Sequence, residues 1–239
     1  MPHLKHDDTF LYDTKDASVG DGAAAAKWQG ILRLGQMRTD LDDATALYNQ
    51  YWQNNGKRTA FDYSEAYRED DAVRRNIDHE LLVAAEAADG FAQDGRTSFR
   101  MTGGLMPREA ISGPVTENWQ KAIGGYQQWS HADVRVEGDR VTMDITVEAQ
   151  DYYNFDKGKA DQATGINDAE NGRFAEIGWA RPLESYGSVT RRCPGASATL
   201  TPRRPTRAVS LNRIRDARTA PTVSGRAGNC AIAGRPART

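Results

Sequence analysis

Carboxylates, a guanidinium and phenols crowd into residues 151–179, DYYNFDKGKADQATGINDAENGRFAEIGW. Asp151, Asp156, Asp161, Asp168, Glu170 and Glu176 surround Arg173, with Asn154, Asn167 and Asn171 among them. Carboxylates in such a setting can act as general bases or offer oxygen ligands to a divalent cation, and an arginine fork can hold an anion. The candidate catalytic residues are Asp151, Tyr153 and Arg173; the candidate substrate-binding residues are Asn154, Asp156 and Asn171. No metal centre and no cofactor is expected. A plainer role competes for each residue. Asp168 suits a helix N-cap, DKGK suits a turn, and Tyr152, Tyr153 and Phe155 can close a core.

Other chemistries find no support. HELLV at 79–83 opens like a zinc-protease helix, but Val83 stands where the second histidine ligand belongs. NDAENGRFAEIG has a glycine at the sixth place, as a calcium loop does, yet Ala169 and Gly178 occupy positions that need oxygen ligands. There is no phosphate-binding loop, dinucleotide fingerprint or nucleophile elbow. His131 beside Trp129 can carry a proton, but a plain edge-of-sheet histidine explains it as well.

The elements that must position these residues follow from apolar spacing. ADVRVEGDRVTMDITVEA alternates with period two on both sides of Gly138-Asp139 and reads as a β-hairpin with one wet face. Asp151 shares parity with Val147 and Ala149, so unbroken alternation points its carboxyl to the apolar side. There it needs a partner such as Arg173, or a bulge that turns it outward. TSFRMT reads as a further strand and LESYGSVTR as another; residues 116–126 suit a short helix capped by Thr116, and 168–180 a helix capped by Asp168.

Upstream, residues 23–53 are helical, with Thr39 or Asp40 as an internal N-cap and NNG as the stop. A long helix spans 71–93, buries Val73, Ile77, Leu81, Ala84, Ala88 and Phe91, and has Gly95 as its C-cap candidate. Residues 1–22 read as a flexible start. The expected fold is α+β: a helical N-terminal region over 23–95 with an αα-hairpin, then a 96–190 module built on a small antiparallel sheet.

Charge divides the chain sharply. Residues 1–190 carry a net −12, which disfavours phosphate backbones, so no nucleic-acid partner is expected there. Residues 191–239 carry 11 Arg and one acid, Asp216, and they hold both cysteines, Cys193 and Cys230. This segment reads as a basic low-complexity tail, disordered or translated in a shifted frame from about Arg192; resequencing of the locus decides between them. No run reaches the roughly 18 apolar residues of a membrane-spanning helix. The start MPHLKHDDTFLYDTKD has no apolar core of a signal peptide. The expected location is the cytoplasm, or the outside by a non-classical route.

TENWQKAIGGY, the DYYNF stretch and NGRFAEIGWA together resemble a poorly characterised C-terminal module of actinobacterial secreted, toxin-type proteins. The resemblance spans about residues 39–190 and implies an exported protein. Asp151, Tyr153 and Phe155 also resemble part of the D-x-Y-D-F motif of colicin M-type enzymes, which cleave the lipid-linked peptidoglycan precursor. Asn154 replaces the second acid, and the histidine of the motif is absent. WQG at 28–30 and YREDD at 67–71 resemble the turn and export signal of helical-hairpin secretion substrates. The resemblances imply a toxin-type domain acting at the cell envelope. The alternatives are a non-enzymatic module that binds a protein partner, and an inactive frameshifted product.

Overall fold

β4 (Arg140–Tyr153) is the axis of the structure. Its Val141, Met143, Ile145, Val147 and Ala149 are buried, while the residues between them keep contact with water. The computed structural model describes Leu4 and residues 9–161, 165–197 and 231–232. β4 pairs antiparallel with β3 (Gln127–Glu137) across the Gly138-Asp139 turn, where Gly138 takes φ +65°. A side chain is disfavoured in that conformation, which is why glycine stands there. On the far side of β3 lies β2 (Ser98–Thr102), and on the far side of β4 lies β5 (Leu183–Ser197).

The outer edge of β5 is covered in two places. β1 (Thr59–Ala60) runs parallel beside Ser185–Tyr186, and β6 (Ala231–Ile232) runs antiparallel beside Arg191–Arg192. The sheet order is β1-β5-β4-β3-β2, and the parallel β1 makes the sheet mixed, where alternation alone gave an antiparallel one. The α+β fold, with N-terminal helices and a C-terminal sheet, is as expected.

All the helices that touch the sheet do so on one face. α4 (Asp71–Gln93) buries Val73, Ile77, Leu81, Ala84 and Ala88 against β3 and β4, and Gly95 follows its end at φ +84°. α3 (Tyr63–Glu69) lies on β5, and α5 (Glu117–Ile123) on β4. α2 (Asp42–Trp52) packs most extensively on α5 and also on α1 (Val19–Gly35), and α3 packs on α4, so the two long helices, α1 and α4, do not form the expected hairpin with each other. α6 (Ala169–Glu176) joins α1. One core cluster extends from Trp28 to Cys193, so the boundary at 95/96 separates elements and not cores.

Three other readings are corrected. The start is not wholly loose. Phe10 is buried against Gly172, and the N–H groups of Asp13, Thr14 and Lys15 donate to the last carbonyls of α6. Those carbonyls have no partner within the helix, so the N-terminal segment satisfies them. Leu41, not Thr39 or Asp40, caps α2, because Asp40 takes the side-on edge of the Arg38 guanidinium. The sheet also runs past residue 190. Arg192 pairs across the outer face with Asp144, and the disulfide-bonded Cys193 is buried opposite Met143. Residues 198–230 and 233–239 lie outside the described residues, as does the question of how the basic tail is read.

Gly187 marks a tight crossing between β5 and the segment that follows β1. A β-carbon there would stand 2.6 Å from the ring of Phe61 and 2.9 Å from its backbone carbonyl. The ring can shift, but the carbonyl is held by the β1–β5 pairing. Gly187→Ala is expected to cost about 3 kcal/mol. In urea this appears as a lower midpoint at unchanged slope.

Candidate acid–base site at the end of β4

Register, not sequence proximity, decides what surrounds Asp151. Pairing with β5 is continuous from Thr142 to Tyr153, so no bulge turns Asp151 outward. Its carboxyl stays on the apolar side, half-buried. Directly across the ladder is Ser185, which is fully buried and whose Oγ has no hydrogen-bond partner among the described residues. Thr59 of β1 stands beyond Ser185. Gly125, in the turn after α5, closes another side; a β-carbon there would lie 3.6 Å from Asp151 Oδ1.

Protein on these sides strips water from the carboxyl, and its pKa is pushed up to about 7. Burial is the main cause. The backbone N–H of Tyr152 opposes it, the charge of Asp156 adds to it, and Lys159 opposes it. The sequence reading offered a salt bridge or a bulge for a carboxylate facing inward. Here a third solution applies: burial raises the pKa, which lessens the cost of a carboxyl that faces inward without a cation.

Arg173 is elsewhere. Its Nε and Nη2 donate to the two oxygens of Asp21 at 3.2 and 3.0 Å, and Nη2 also donates to the Asp16 carbonyl at 2.7 Å. Glu176 Oε2 is 3.9 Å from Nη1. Arg173 therefore clasps the start of α1. It holds the Asp21 carboxyl far below the usual carboxylate range, assisted by the N–H and hydroxyl of Ser18. The pairing of Asp151 with Arg173 is not made.

The other candidates divide between packing and the acidic loop. Asn171 is 3 % exposed; its side-chain oxygen accepts from Tyr48 at 2.5 Å and its carbonyl from Tyr51 at 2.7 Å. It pins α6 to α2, which leaves no room for a substrate contact. Tyr153 packs its ring against Tyr51 and Phe155, with centroids 6.2 and 6.0 Å away. Burial holds its hydroxyl far above the ordinary phenol range, so it stays protonated. Tyr153 and Phe155 thus leave the sheet by joining the aromatic cluster of Tyr48 and Tyr51.

Asn154 donates to Asp156 at 3.3 Å, Asp156 pairs with Lys159, and Lys121 pairs with Asp161. Asp168 is raised, first by burial and then by Asp156 and Asp161. These acids lean on one another electrostatically, yet among the described residues no group of three or more is arranged to hold a metal ion. His131 is exposed, 3.9 Å from Glu148. Trp28 lies inside α1 and donates to Glu170 at 2.7 Å, so WQG is helix interior rather than a turn.

Sequence reasoning missed Ser185. The signal was present, since Leu183, Ser185, Gly187 and Val189 share one parity and both ends are apolar. Comparison with protein-family models, with curated proteins and with solved structures found no match. Among the described residues no helix is long and apolar enough to cross a membrane.

Proposed function

We propose that the chain is a toxin-type domain that performs proton-transfer chemistry at Asp151, in the exported, envelope-directed setting that its resemblances imply. The supporting observation is the placement of Asp151: a half-buried carboxyl, bridged by no cation of the described residues, opposite a Ser185 hydroxyl that has no partner among them. A carboxyl with a pKa near 7 exchanges its proton at working pH, as a general base requires. The role of Arg173 in holding phosphate is withdrawn. Lys159, whose charge acts on Asp151 while it pairs with Asp156, replaces it as the cation that would have to turn toward an anionic substrate.

The test is expression in the periplasm of a sensitive bacterial host. The wild-type chain should arrest growth and Asp151→Asn should not, with a loss of at least about a hundredfold in viability effect. Arg173→Lys, which preserves a cation beside Asp21, should arrest growth like wild type. Arrest by Asp151→Asn at wild-type strength would refute the reading.

A second reading rests on the open face of the sheet. Across β2, β3, β4 and β5 a single cross-strand row runs Arg100, Asp133, Asp144, Arg192, with Arg100 donating to Asp133 at 2.9 Å. It borders a groove of about 560 Å³ that also includes Phe99 and Arg135. A folded wild-type chain that arrests no host favours this face as a docking surface for a protein partner.

A further inference from the structure

Arg191 is 3 % exposed, and among the described residues its Nε and Nη2 have no hydrogen-bond partner. It projects from β5 toward the helices, in phase with Val189 and Cys193, and its guanidinium lies 4.0 Å from the ring centre of Tyr67 on α3. Tyr67 spends its hydroxyl on Asp78 at 3.0 Å, so the ring offers Arg191 only its face. Stacking satisfies the faces of a guanidinium and none of its N–H donors. A cation stripped of water in this way is costly unless it is paired and hydrogen-bonded.

The identity of the two unpaired nitrogens is informative. Nε and Nη2 lie along one edge of the guanidinium and point two parallel N–H bonds the same way, matching two oxygens of one oxyanion. Among the described residues that edge is used three times. Arg38 gives it to Asp40, Arg173 to Asp21 and Arg192 to Asp144, with both nitrogens engaged each time. Arg191 presents the same edge with no carboxylate of the described residues against it. The β5 edge is covered by β1 at Ser185–Tyr186 and by β6 at Arg191–Arg192, so the unpaired N–H groups lie beneath the strand edge.

We infer that Arg191, stacked on Tyr67, is an oxyanion-binding site for a ligand that presents two oxygens in one plane, a carboxylate or a phosphate. The site is independent of Asp151, and its test does not use activity. Thermal unfolding of the full chain is followed in acetate or inorganic phosphate, with chloride holding the ionic strength constant. The midpoint should rise saturably with one probe, which identifies the ligand class. Arg191→Met keeps the stem and the stacking volume but should bind that probe at least tenfold more weakly. Arg191→Lys, charged but without the fork, should lie between them.

An equal response in Arg191→Met, or no saturable rise over chloride in wild type, overturns the inference. If the methionine variant does not fold, the Nε–H resonance of Arg191 in the wild-type protein decides. It should shift on titration with the same apparent affinity as the thermal response, and an unmoved resonance overturns the site.

Discussion

Asp70→Ala is expected to lower the unfolding midpoint by roughly 10 °C, the consequence of losing about 4 kcal/mol in a domain of this size. One carboxylate joins three segments. Its Oδ1 accepts from the N–H groups of Ala72 and Val73, which caps α4. Its Oδ2 accepts from the N–H groups of Val115 and Thr116 and from the Thr116 hydroxyl, which fixes the loop leading into α5. Asp70 is fully buried. Losing a cap costs about 1 kcal/mol, and each buried N–H left without an acceptor adds about 1–3 kcal/mol. Asp70→Asn keeps one acceptor but turns an amide donor toward other donors, so it should recover less than half of the loss.

The same carboxylate makes a pH signature. Burial alone would raise its pKa, but the N–H groups of Thr116, Val73 and Val115 and the Thr116 hydroxyl outweigh burial, and the net direction is down. A depressed carboxylate contributes its stability above its unfolded pKa, about 3.9, and loses it as pH falls through the folded value. The stability gap between wild type and Asp70→Ala should therefore be constant near neutrality and narrow below about pH 4. A gap independent of pH down to unfolding would show that the charge of Asp70 does not matter.

What the sequence disclosed and what it concealed divide along contact range. Strand β4, the Gly138 turn and α4 were legible because their signals are local: alternation, a left-handed glycine, and a stripe at helical spacing. The seven residues of α3 carry too short a stripe to read, and β1 is two residues long and defined only by a partner far along the chain. The Asp151–Arg173 pairing failed for the same reason. Opposite charges in one stretch suggest each other, but Arg173 found Asp21 instead, which lies 152 residues away. Charge complementarity has no period and leaves no trace in a linear reading. Parity does leave one. It placed Asp151 on the apolar face correctly, and applied to LESYGSV it would have placed Ser185 on the apolar face of its own strand; only the register sets the two opposite each other.

Asp151→Asn should be more stable than wild type at pH 8, by about 2 kcal/mol, and no more stable at pH 4. The sign follows from the raised pKa. In the unfolded chain Asp151 releases its proton near pH 3.9; in the folded chain it holds it until about 7. Between those values the native state binds more protons, so stability falls as pH rises, by at most about 1.4 kcal/mol per pH unit. Above pH 7 both states are ionised and the whole penalty stands, lessened by the water that still reaches a half-buried group. An asparagine does not titrate and bears none of it. Urea midpoints across pH 4–8 check this: the variant and wild-type curves should meet at the acid end and separate toward the alkaline end. Curves that stay parallel would mean that Asp151 ionises normally and that water reaches its carboxyl freely. Separation would establish that the fold keeps, at its own expense, a carboxyl that a neutral amide would fill better. That cost in stability is what the proposed proton chemistry at Asp151 would require.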